Sequence, residues 1–104
     1  MAVFQVWHNQ RPTFMNNDAA RLAVFPAGFT HVADVTTPDV GDAHFNVFQL
    51  TNHIDGNWLH NAEVKPRMES ARSTSVGDVI VLTSPADGSI IGRWSVEMIG
   101  LKQF

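Results

Sequence analysis

Val79-Ile80-Val81-Leu82-Thr83-Ser84-Pro85-Ala86-Asp87-Gly88-Ser89-Ile90-Ile91-Gly92-Arg93-Trp94-Ser95-Val96-Glu97-Met98-Ile99 is the stretch whose reading decides the fold. Val79 to Leu82 is a short apolar β run. Asp87-Gly88 then supplies turn chemistry, because glycine tolerates positive φ and aspartate accepts from nearby amides. From Ile90 to Ile99, alternation sets Ile90, Trp94, Val96 and Met98 on one face, with Gly92 completing the row. Arg93, Ser95 and Glu97 take the other face, so one side should be buried and one wet. The pattern predicts a β-hairpin over residues 79–99.

Working outward, residues 2 to 8 form an opening strand. Ala2, Phe4 and Val6 share one face, while Val3, Gln5 and Trp7 share the other, so both sides should be covered. Asn16-Asn17-Asp18 offers a helix cap, Ala19 to Phe25 supplies about two turns, and Pro26 with Gly28 ends them. Phe29 to Thr36 reads as a second strand. Asp39-Val40-Gly41-Asp42 offers another cap, after which Val40, Ala43, Val47, Leu50 and Ile54 recur at helical spacing, fraying near Asn52. The expected architecture is α+β in the order β-α-β-α-β-β, two short helices on one side of a small antiparallel sheet. It forms a single domain, residues 1–104, with a long ordered polar loop at about 51–75.

Composition narrows the function classes. With 104 residues, 44% hydrophobic and 16% charged, the chain is neither disordered nor coiled-coil. Its formal net charge is −3 and its seven Lys and Arg residues are scattered. Binding to duplex nucleic acid relies on several basic phosphate contacts, so net charge does not support a long nucleic-acid footprint. The absence of cysteine excludes disulfides, thiolate nucleophiles and Cys-based zinc sites together. It fits a cytoplasmic, soluble protein. No apolar run approaches the roughly 20 residues that span a bilayer, so no membrane partner is implied. The opening residues lack the basic start and apolar core of a secretory signal.

Candidate chemistry concentrates between the second helix and the hairpin. Residues 51–75 carry many polar groups, with Trp58 as an apolar anchor able to offer a flat surface beside directional hydrogen-bonding groups. Arg72-Ser73-Thr74-Ser75 combines a guanidinium with three hydroxyls, a set that can hold a phosphate or carboxylate. The same residues can instead bond their own backbone, and Arg72 can pair with a neighbouring acid. Val76-Gly77-Asp78 reads as a turn, Asp78 accepting from nearby amides as the chain enters Val79. His53, Asp55 and His60 lie close enough in sequence for a metal, but lack the geometric enforcement of a helical His pair. His31 and His44 fall within predicted elements and read as core-edge residues. Ser73 or Ser75 with His53 and Asp78 makes a hydrolase triad on paper, without the Gly-x-Ser-x-Gly turn that usually enforces one. No catalytic residue, metal ligand or cofactor is assigned.

The run Arg72-Ser73-Thr74-Ser75-Val76-Gly77-Asp78-Val79, preceded by Thr51-Asn52 and by Trp58 with Asn61, resembles a group of small uncharacterised bacterial proteins of plasmids, phages and other mobile elements. The resemblance covers about residues 45–101. The chain closes it with Gly100-Leu101, where the group more usually has glycine followed by an aromatic residue. It implies no activity, but groups Thr51, Asn52, Trp58, Asn61 and Arg72, with Ser73, Thr74 and Ser75 alongside, as one ligand or partner surface. The resulting expectation is a non-enzymatic interaction module, accessory to mobile-element biology, whose 51–75 loop binds a protein partner or small anionic ligand. The alternatives are a small nucleic-acid-associated regulatory protein, with Trp58 stacking and Arg67 and Arg72 on phosphate, and a Ser/His-dependent hydrolase or transferase.

Overall fold

A computed structural model describes residues 2–10, 25–38, 41–52, 58–60, 62–68, 71–84, 86–97 and 100–104. Its strands are β1 (Ala2–Asn9), β2 (Phe29–Thr37), β3 (Val64–Pro66), β4 (Val79–Thr83), β5 (Ile90–Val96) and β6 (Leu101–Gln103). The helix α1 spans Ala43–Thr51, and a 3-10 turn spans Trp58–His60. All six strands join one sheet in the order β3-β2-β1-β4-β5-β6, with every neighbouring pair antiparallel.

The α+β class is as expected, but the element order needs correction. Strands β3 and β6 were not anticipated, and each has only three residues, too few to display a period of two. The first expected helix lies outside the described residues except for Phe25, which sits in a turn. The second helix spans Ala43–Thr51, and Val40 and Ile54 of its expected stripe lie outside the described residues. It starts after Asp42, whose side chain makes no capping bond, and ends where the Asn52 N–H reaches the Phe48 carbonyl.

Opening strand β1 lies inside the sheet, between β2 and β4; its Ala2, Phe4 and Val6 face is buried, while Val3, Gln5 and Trp7 on the other face are only half-buried. Ala2, Phe4 and Val6 join Val35, Ile80, Ala43, Val47 and Trp58 in the larger core, which α1 covers. Opposite it, Phe29, Val79 and Val81 form a smaller core with Trp7, Phe25 and Phe104 against them. Burying each such side chain contributes about 1.5–3 kcal/mol for the larger residues.

That second core overturns part of the hairpin expectation. Strands β4 and β5 pair as predicted, but Ser95 is buried rather than wet, because it lies opposite Val79 on the smaller core's face. A bulge between Leu82 and Thr83 shifts the register, and Ile90, expected inside, is exposed. The connecting turn follows its chemistry. Gly88 adopts φ +75° with open space around it, and Asp87 Oδ1 accepts the Ser89 N–H.

Candidate functional site

Within 51–75 the described residues include the end of α1, the 3-10 turn, β3 and the 71–75 stretch, and Thr51, Trp58 and Thr74 among them are buried. Thr51 ends α1 fully buried, its hydroxyl donating to the Val47 carbonyl at 3.0 Å. Its own carbonyl accepts the Thr74 N–H at 3.0 Å. Trp58 packs beneath the segment at 3% exposure, and its indole N–H donates to the Arg72 carbonyl at 2.9 Å. Helix end, 3-10 turn and the 71–75 stretch are thereby fastened together.

Arg72 turns its guanidinium towards Asp78. Nη1 donates to Asp78 Oδ2 at 2.6 Å and Nη2 to Oδ1 at 2.7 Å, the paired geometry that a planar fork makes with a carboxylate. The same nitrogens reach the Ser73 carbonyl, the Ser75 hydroxyl and the Asn9 carbonyl at 3.0 to 3.1 Å. Asp78 has no exposed surface and also accepts the Asn9 and Ser75 N–H groups, both at 2.8 Å. Gly77 makes the turn before it at φ +93°. The anion that the Arg72 cluster holds is therefore the chain's own carboxylate.

His8 completes the cluster from β1. Its Nε2 lies 3.1 Å from the Thr74 hydroxyl and 3.8 Å from Asp78 Oδ2, and its ring lies 5.9 Å from that of Trp58. Burial lowers its pKa from 6.5 to about 4; Asp78 opposes that shift and Arg72 adds to it. His8 is consequently a neutral imidazole at pH 7. A histidine, a hydroxyl and a carboxylate stand together, with the Thr74 hydroxyl and the Asp78 carboxylate both buried.

Of the sequence-read site residues, Thr51, Trp58, Arg72, Ser73, Thr74 and Ser75 meet in this one cluster, while Asn52 is exposed at the helix end. Asn61, His53 and Asp55 lie outside the described residues, and His60 ends the 3-10 turn. Among the described residues no three potential metal ligands cluster. The flat stacking surface expected of Trp58 is corrected by its burial. Sequence reading missed His8 and Asn9, which lie 66 and 69 positions from their partners. Their one signal was two polar residues at the end of an apolar strand.

Two other polar features lie at the sheet surfaces. His31 bonds Asp34 at 2.7 Å and stacks on Trp7, while Arg67 bonds the other Asp34 oxygen at 2.8 Å. His44 stacks nearly parallel on Trp94 with ring centres 4.6 Å apart. Both histidines are the core-edge residues anticipated. Between the end of β2 and α1 lies an open cleft of about 180 Å³. Val35, Pro38, Val47 and Leu50 line it with Thr36, Thr37, Asn46 and Glu63.

The chain matches no family model, no curated protein and no solved structure. No helix among the described residues is long and apolar enough to cross a membrane.

Proposed function

We propose that this chain is a non-enzymatic interaction module that engages a protein partner at the cleft between β2 and α1. The observation that carries this reading is the cleft itself, about 180 Å³ with four apolar lining residues. An apolar cavity of about 150 Å³ accommodates a benzene ring, so the cleft suits one apolar side chain of a partner. The 51–75 segment contributes Glu63 at the cleft, and its Thr74 N–H bonds the Thr51 carbonyl at the end of α1. A protein partner is favoured over a small anion, because Arg72 is already paired with Asp78. Burial of Thr74 and Asp78 supports a structural role for the His8 cluster. The tie to mobile elements comes from the Arg72–Val79 resemblance alone.

The test is a titration followed by amide NMR, with toluene as the apolar probe and inorganic phosphate as the anionic one. Toluene should move the amides of Val35, Thr36, Val47 and Leu50, and Leu50→Trp should fill the cleft and abolish that response while circular dichroism stays unchanged. Phosphate should leave Ser73 to Ser75 in place. A phosphate response confined to those residues, or silence of the cleft towards toluene, overturns the proposal.

A further inference from the structure

We propose, on the basis of that cleft reading, that the partner segment entering between β2 and α1 is basic: an apolar side chain flanked by lysine or arginine. The Asp, Glu, Lys and Arg residues of the six strands are Asp34, Lys65, Arg93 and Lys102. Residues paired across a ladder share a face of the sheet, while neighbours along a strand take opposite faces. Lys65 pairs with Asp34, Asp34 with Gln5, Gln5 with Val81, and Val81 with Arg93. Lys102 pairs with Ser95, which shares the side of Arg93 two residues earlier. All four charged strand residues therefore lie on one face.

The cleft lies on the other face. Val35, the neighbour of Asp34, lines it together with Val47 and Leu50 of α1. Arg67 stays on the charged side, where its Nε donates to Asp34, and Arg72 is bound to Asp78. Among the described residues, no lysine or arginine lines the cleft. Glu63 does line it. Asp42 stands exposed at the start of α1, four residues before the lining Asn46 and so on the same side of the helix. Its carboxylate makes no capping bond.

An apolar floor with an acidic mouth suits a cationic, amphipathic segment. The inserted side chain takes the floor of Val35, Val47 and Leu50, and its basic neighbours meet Glu63 and Asp42 at the mouth. Lysine stems also cover apolar surface while their ammonium groups stay in water. An acidic segment would instead set like charges against each other, which is how interfaces reject wrong partners. The cations of the far face repel the same basic segment, so the field of the whole molecule directs it to the cleft side.

The test titrates acetyl-Lys-Lys-Leu-Lys-Lys-amide, its counterpart with glutamate for lysine, and a version with serine for leucine, each followed by amide NMR. The lysine peptide should move the amides of Val35, Thr36, Val47 and Leu50, and bind at least about tenfold tighter than the glutamate peptide at low salt. Raising sodium chloride to about 0.5 M should erase most of that preference. Serine for leucine should weaken binding by at least about tenfold, because the apolar side chain no longer fills the cleft. Glu63→Gln and Asp42→Asn should each weaken the lysine peptide roughly threefold. Asp87→Asn removes an equal charge from the β4–β5 turn and should change nothing. Equal affinity for the lysine and glutamate peptides overturns the proposal, and a toluene response that persists beside it leaves the cleft itself standing as the partner site. Lysine-peptide shifts away from the cleft overturn it too. So does an equal loss from Asp87→Asn, since net charge alone would then account for the attraction.

Discussion

Asp78 makes the heaviest demand of any single residue, because its carboxylate has no exposed surface and must be matched inside the fold. Arg72 supplies two donors, Asn9 and Ser75 one each, so all four bonds are charge-assisted. Removing one partner of a buried pair leaves the other unmatched and costs about 3–5 kcal/mol. The Arg72 side chain is 35% exposed, and water can partly replace it, so Arg72→Ala should cost about 3 kcal/mol, at the low end. Urea unfolding measures this, and Arg72→Lys should recover only part of the loss because an ammonium lacks the planar fork. A cost of a few tenths would show that the pair contributes nothing. His8 adds a pH dependence. Its pKa falls from 6.5 to about 4 on folding, so between those values the unfolded chain binds more protons than the folded one. Stability therefore rises with pH through this window and is lost as pH falls through it, by at most about 3 kcal/mol. Unfolding midpoints at pH 4 and pH 7 should differ accordingly, and His8→Gln should flatten the slope. An unchanged slope in that variant would assign the acid sensitivity elsewhere.

At the scale of elements, legibility followed length and locality. Strands β1, β2 and β4 announced themselves through apolar runs bounded by turn residues, and their extents match the reading within two residues. Helix α1 was visible because Ala43 and Val47 recur on one face. Strands β3 and β6 were illegible since Val64-Lys65-Pro66 and Leu101-Lys102-Gln103 have no internal pattern. They are strands because β2 and β5 offer them unpaired backbone, which is tertiary information. The candidate site divides the same way. Arg72, Thr74 and Asp78 were noticed together because they are neighbours in sequence. The direction of Arg72, inward to a carboxylate, could not be seen without His8 and Asn9 arriving from the other end of the chain.

Across the whole molecule, the order β3-β2-β1-β4-β5-β6 predicts a gradient of stability running from the middle of the sheet to its borders. Strands β1 and β4 each have two neighbours and contribute the fully buried Phe4, Val6, Ile80 and Val81. Opening either one breaks two ladders and exposes both cores at once, which amounts to global unfolding. Strands β3 and β6 each hold one three-residue ladder and expose two of their three residues or all of them in part. They can detach while the centre persists. Because β1 meets β4 across most of the chain's length, the central pairing must also close a long loop, which slows folding relative to proteins dominated by local contacts. Native-state hydrogen exchange reads this gradient directly. Amides of Phe4, Val6, Ile80 and Val81 that bond within the sheet should exchange only through global opening, with the full denaturant dependence of unfolding. Those of Lys65 and Lys102 should exchange through local opening with little denaturant dependence. Equal protection in β3 and β1 would contradict it, because a border ladder of three residues would then be opening only with the whole fold.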